Sequence, residues 1–415
     1  MTTLTQKTAL HAAARASRQR IEENQPVIGF LDQRLLSVSL ILLLVGVVMV
    51  YSASIASAEK LMHNPAHYLN RHLIFAGLGL FAGFITYQIP TKFWRHTRWL
   101  SLLAVFVLLI LVLIPGIGKE VNGSRRWIDF GLFGLQASEL AKLGVIIFLA
   151  GYLVNQQQDV QQSFMAFMRP LFVVVLVCVL LMLEPDFGAT AVLMGITMGM
   201  LFLGGVRILH FLFFVITSVV ALTLVAISSE YRVQRILSFL DPWQHSQDSG
   251  YQLVQSLIAV GRGEWFGVGL GNSMQKLFYL PEAHTDFVFA IFAEEFGLVG
   301  VVVLIALFVM LLLRAFAIAR GAMRLQRPYQ AYLASGVGLW LGLQAVINIG
   351  VNLGALPTKG LTLPLISYGG SNLICVCIGI ALLLRVHKEN IRASHGYAKN
   401  TSGNRSNRRK KGAGI

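Results

Sequence analysis

The sequence predicts an all-α polytopic membrane protein: a bundle of ten transmembrane helices with a large extracytoplasmic loop between helices 7 and 8. Three observations predict it. Hydrophobic residues fill 55% of the 415 positions and charged residues only 13%, and the mean hydropathy is +0.67. Apolar runs of membrane-spanning length recur along the chain, and about 20 mostly apolar residues carry a helix across the hydrocarbon. Backbone polar groups find no water there, so such runs must satisfy their own hydrogen bonds as helices. Cys178, Cys375 and Cys377 all lie inside these runs. They show no metal-ligand spacing with a histidine and say little about redox compartment.

Residues 1–33 are polar and carry Lys7, Arg15, Arg18 and Arg20 without an apolar h-region or cleavage site. They read as a cytoplasmic N-terminal tail. The membrane domain, 34–385, follows with spans at Leu35 to Ile55, His72 to Ile89, Leu100 to Ile114, Leu140 to Val154 and Leu171 to Leu183. Five more run over Gly188 to Gly204, Leu209 to Ile227, Phe287 to Leu313, Tyr332 to Leu353 and Ile366 to Leu384. An even number places both termini on one side. Most Lys and Arg residues fall in the tails and even-numbered connections, among them Lys92, Arg95, Arg98, Arg314 and Arg327, which the positive-inside rule assigns to the cytoplasm. The formal net charge of +15 is thus topological. The basic tail, 386–415, reads as a segment that touches anionic lipid rather than nucleic acid.

On the outer side, residues 228–285 form the one long connection, and loops of that length usually carry function. It opens with Tyr231, Arg232 and Arg235, and its YQLVQSLIAVG stretch predicts a short interfacial helix. The glycines of GRGEWFGVGLGNS lack a preceding strand and a following GK[ST], which argues against a phosphate loop. They predict instead a backbone that bends and approaches another segment closely. The loop ends in YLPEAHTDFVFA, Tyr279 to Ala290, where His284, Thr285 and Asp286 meet an apolar span. Asp286 is then either a functional carboxylate at the membrane edge or, with Thr285, a helix N-cap.

Four other polar stretches lie close to or within the apolar segments. In QASELAK, Glu139 and Lys142 share a helix face at i,i+3, so they can pair within the membrane or orient the fourth helix as an interface ion pair. Ahead of them GSRRWIDFG sets Arg125 and Arg126 beside Trp127; arginine grips phosphate bidentately, and tryptophan anchors at the interface. LEPDFGAT reads as a tight turn. In ALPTKGLTLPLISYGGSN, Pro357 and Pro364 bracket Lys359, which predicts broken backbone held against protein or a water-lined cavity.

One carboxylate, several cations and apolar walls suit an anionic ligand on a lipid, such as a polyprenol diphosphate. A glycosidase needs two carboxyl groups. Diphosphate leaves as an anion that cations stabilise, so one base acting on an acceptor hydroxyl suffices.

These motifs together resemble the SEDS family (shape, elongation, division and sporulation) over about Leu35 to Leu384, and its cell-division branch in particular. The resemblance implies a peptidoglycan glycosyltransferase that polymerises lipid II outside the bacterial cytoplasmic membrane. It also implies enrichment at the division septum, with a class B penicillin-binding protein and other divisome membrane proteins as partners. The family's essential acidic residue falls on Asp286, as general base. Its polar cavity falls on Arg126, Glu139, Lys142 and Lys359, expected to contact substrate; Arg232 and His284 join them from their places in the outer loop. The resemblance leaves room for a divalent cation, while the sequence shows no metal cluster. The departure is in QASELAK, with Ser138 where the family motif carries alanine or a related small residue and Ala137 in place of its proline; the change alters at most the angle at which the helix begins. Glu294 and Glu295 lie about 80° and 180° around an ideal helix from Asp286, away from it. The rival readings are a lipid II flippase and a non-catalytic divisome scaffold.

Overall fold

The computed structural model describes residues 31–411 apart from 122–123, 130, 132–133, 228–229 and 249, with backbone alone at 121, 222, 225–226, 230–232, 235–236 and 396–411. The expected N-terminal tail up to residue 30, and the side chains of the basic C-terminal run, lie outside the described residues. The predicted spans all appear as helices: α1 (Gln33–Met62), α2 (His67–Gln88), α4 (Arg98–Leu113), α5 (Ala137–Asn155), α7 (Phe164–Leu183), α8 (Phe187–Leu203), α9 (Ile208–Ile227), α12 (Val288–Arg324), α13 (Pro328–Asn352) and α14 (Gly370–Lys411). Among the described residues, seven of these are long and apolar enough to cross a membrane, and α4, α8 and α9 are shorter apolar helices. Short helices α3 (Thr91–His96), α6 (Gln157–Gln162), α10 (Glu230–Leu240) and α11 (Tyr251–Arg262) lie between them.

Local chemistry sets the helix ends. The Asp32 carboxylate accepts from Leu35 N and starts α1, Asp186 does the same for α8 through Ala189 N, and Pro328 sits in the first turn of α13. α5 and α13 form the centre, with most of their residues buried. α9 is the opposite case: Leu209, Ile216 and Leu224 on it are exposed, as suits a helix whose apolar face meets lipid.

Two features depart from a plain helical bundle. Between α4 and α5 a small antiparallel sheet forms, in the order β1 (Gly118–Val121), β2 (Ser124–Asp129), β3 (Gly134–Gln136). Its exposed ion pairs, Lys119–Asp129 and Arg125–Glu120, join β1 to β2. The second is a break in α12 at Gly297, where φ is +64° and ψ −167°. A Cβ there would lie 2.4 Å from Gly267 N. The glycine-rich stretch after α11 docks into this break: Val268 N and Gly269 N donate to the carbonyls of Glu294 and Glu295, and Leu298 N and Val299 N donate back to Glu264 and Trp265. The predicted close approach of the glycine loop is therefore to α12.

The segments predicted to lie on one side of the membrane do gather at one end. Arg126 reaches Glu184 and Pro185, Gln136 reaches Ser371, and Tyr368 N donates to His284 O. At the other end Asp32 pairs with Arg314, and Glu389 pairs with Arg327 and Arg385.

Candidate active site

Asp286 lies one residue before the N-cap of α12, which is Phe287. Neither Thr285 nor Asp286 is that cap: Phe287 makes no side-chain cap bond, and Thr285 Oγ1 turns back to Glu282 O and Oε2. At the helix start Ala290 N donates both to Phe287 O at 3.0 Å and to Asn352 Oδ1 of α13 at 3.1 Å. The Asp286 carbonyl accepts from Asn348 Nδ2 at 2.9 Å and Asn352 Nδ2 at 3.1 Å. Asn348 Nδ2 also donates to Leu361 O, so one amide holds the Asp286 turn against the Lys359 loop. Gly360 makes that contact close: a Cβ there would sit 2.9 Å from Asp286 Oδ2.

Lys359 is half-buried, and its Nζ lies 4.0 Å from the centre of the Phe187 ring at the start of α8, a cation–π contact. Just before α8, the Glu184 side chain is fully buried, and neither carboxylate oxygen has a hydrogen-bond partner among the described residues. Burial first, then the neighbouring Asp186, push its carboxyl up to about 8, against the pull of Arg126. Arg126 itself is spent mainly on backbone, donating from Nε to Glu184 O at 3.2 Å and from Nη2 to Pro185 O at 2.6 Å. His284 stacks near Tyr68 and Tyr368, with ring centres 4.4 and 5.6 Å away. Burial lowers its pKa, partly offset by Glu282.

Glu139 and Lys142 do pair, at 2.8 Å, with side chains 5% and 0% exposed. Their other bonds all go to protein. Lys142 Nζ donates to Gln344 Oε1 at 2.9 Å, Asn372 Nδ2 donates to Glu139 Oε2 at 2.8 Å, and Trp340 Nε1 donates to Gln344 Oε1 at 2.8 Å. Gln344 Nε2 in turn donates to Thr362 O. Removing one member of such a buried pair would leave the other uncompensated, which is strongly destabilising.

The structure thus brings Asp286, His284 and Lys359 to one end, ties Arg126 to the neighbouring turn, and sets Glu139 and Lys142 beneath them. Arg232 falls in α10, and its side chain lies outside the described residues. Sequence reasoning missed Gln344, Asn348 and Asn352, whose i,i+4,i+8 spacing in an apolar span was the available signal. It also missed Lys276, which bridges Glu295 Oε1 at 2.8 Å and Ser52 Oγ at 3.0 Å. Glu294, as expected, serves elsewhere, accepting from Ser273 Oγ, Met274 N and Arg262. Above Ser52 and Lys276 opens an apolar groove of about 350 Å³ lined by Val47, Val48, Tyr51, Ile55, Leu69 and Leu270. Among the described residues no group of three or more His, Cys, Asp or Glu side chains is placed to hold a metal ion, so these side chains do not by themselves form a cation cage.

Apolar helices closed around buried polar side chains define a polytopic membrane protein, with its candidate site where a carboxylate and cations gather at one end. The chain belongs to the FtsW, RodA and SpoVE family of cell cycle proteins, whose profile matches residues 33–392. It is 50% identical over 363 residues to the probable peptidoglycan glycosyltransferase FtsW of Legionella pneumophila, covering 88% of this chain and 92% of that one. Among solved structures it resembles a chain of a peptidoglycan synthase complex studied for its coordination of polymerization and crosslinking. There the identity is 30% and the TM-score 0.72, over 87% of this chain and 98% of that one. The rod shape determining protein RodA of Thermus thermophilus is 31% identical with a TM-score of 0.66, over 88% and 99% of the two chains.

Proposed function

We propose that this chain, like the relatives named for that activity, is a peptidoglycan glycosyltransferase, and that it polymerises lipid II with Asp286 as general base. The observation that carries the base assignment is the bracketing of Asp286. Asn348 and Asn352 hold its backbone, and Gly360 leaves room for its carboxylate beside the Lys359 loop. In the proposed step Asp286 takes the proton of the acceptor's N-acetylglucosamine 4-hydroxyl as that oxygen attacks the anomeric carbon of the donor's N-acetylmuramic acid. The bond to diphosphate breaks with inversion, and undecaprenyl diphosphate leaves as an anion, with Lys359 supplying nearby positive charge. Arg126 orders the turn that carries Glu184 and adds its charge there. The open apolar groove over Ser52 and Lys276 has the lining an isoprenoid chain needs.

The proposed setting is the bacterial inner membrane at the septum, with both termini cytoplasmic and a class B penicillin-binding protein alongside to cross-link the strands. The test is purified lipid II supplied to the full chain co-purified with such a partner. Glycan strands and released undecaprenyl diphosphate are the expected products. A folded complex that forms no strands but moves labelled lipid II across vesicle membranes would reject this function in favour of transport.

A further inference from the structure

α13 carries three amides, Gln344, Asn348 and Asn352, at successive i+4 positions, and all three are buried to within 2% exposure. Polar side chains inside a span are expensive unless bonded. Here every rung donates to backbone at one of two places where the chain is not helical. Gln344 donates to Thr362 O at 2.9 Å. Asn348 joins Leu361 O to Asp286 O, and Asn352 holds Asp286 O while accepting from Ala290 N. The outer end of the ladder is fixed to α11, because Ser256 Oγ donates to Asn352 O at 2.8 Å. The inner end is fixed to α5, because Lys142 Nζ binds Gln344 Oε1.

We infer that Gln344, Asn348 and Asn352 are positioning residues that set the Asp286 carboxylate against the Lys359 loop, and that the Glu139–Lys142 pair anchors this ladder instead of contacting substrate. The inference rests on Asp286 being the base. Both carbonyls gripped by Asn348 belong to the segments that carry the site's carboxylate and cation, so a shift of that one amide moves them apart. Displacements near 1 Å lower turnover by as much as about a hundredfold, whereas a lost substrate contact raises KM.

The test measures lipid II polymerisation against substrate concentration for the full chain with its penicillin-binding partner, at matched yields of folded complex. Asn348→Leu removes the donor at similar volume. A Glu139→Gln, Lys142→Met double variant removes both charges together, so neither is left buried alone. Each is expected to reduce turnover at saturating lipid II by about tenfold or more, with KM within about twofold of wild type. Asn352→Leu replaces Asn348→Leu should the latter fail to assemble. Wild-type turnover in these variants, or a raised KM with unchanged turnover, would overturn the inference. Asp286→Asn runs in parallel: if it polymerises normally the base assignment has failed, and if it is inactive while the ladder variants are fully active, only the ladder has failed.

Discussion

Two buried glutamates at opposite ends of the bundle have been treated very differently. Glu389 lies about 28 Å along α14 from its start, at 1.5 Å per residue. It accepts from Thr91 N and Oγ1 at 2.9 and 2.6 Å, Arg385 Nε at 3.0 Å and Arg327 Nη2 at 2.6 Å. Glu184, near the start of α8, is buried still more completely, yet its carboxylate oxygens have no partner among the described residues. At the Glu389 end both carboxylate oxygens are satisfied, in an ion network that ties α3, α13 and α14 together and reaches α2 through Arg385 Nη1 on Tyr87 O and Gln88 O. At the Asp286 end, polar side chains instead hold backbone carbonyls of interrupted helices, and a carboxyl group is kept neutral. Paired carboxylate oxygens seal one end; the candidate site at the other is built on broken chain held still.

The comparison can be broken most severely at the sealed end. Glu389→Ala leaves Arg385 buried without its carboxylate, and should destabilise the protein by about 3–5 kcal/mol. Thermal unfolding in detergent, followed by tryptophan fluorescence, would show a large fall in midpoint. A shift of no more than a degree or two would mean that the network contributes little.

Gly297→Ala comes next. It forces a side chain into φ +64° and against Gly267 N, so a loss of about 1–3 kcal/mol is expected. The loosened glycine loop should also become more sensitive to protease. An unchanged cleavage rate at residues 263–271 would show that the break in α12 does not depend on this glycine.

Glu184 sharpens the contrast through pH. Its carboxyl titrates near 8 in the folded protein, against an ordinary value of 4.5. The folded state holds this proton more tightly than the unfolded chain does. Its contribution is therefore complete below the ordinary value and is lost as pH rises through about 8. Glu184→Gln keeps the neutral shape, so it should match wild type near pH 5 and be the more stable of the two near pH 9. Parallel midpoint-against-pH curves for the two proteins would contradict this. The smallest effect belongs to the sheet: Lys119→Ala removes only an exposed pair, and should change stability by less than about 0.5 kcal/mol.

What could be read beforehand divides along the same line. The ten helices were legible because apolar runs of sufficient length have one solution in a bilayer. Asp286 and Lys359 were legible because each interrupts or borders such a run. The sheet was not, since β1 and β3 are four and three residues long and hold together only by pairing with β2. The turn preferences of Pro185 hid Glu184, whose distinction comes from packing. The amide ladder was visible as a pattern in QAVINIGVN, but its meaning depends on partners such as Asp286, 62 positions away. The QASELAK pair was foreseen as a pair; that its remaining bonds go to Gln344 and Asn372 required the fold.

The most direct measurement compares wild type with Asp286→Asn for glycan synthesis from purified lipid II, in complex with the penicillin-binding partner and at equal yield and unfolding midpoint. Asparagine keeps the shape and removes the base. General-base catalysis predicts a fall of about 100-fold or more while lipid II still binds; strand synthesis at the wild-type rate by the variant would contradict it.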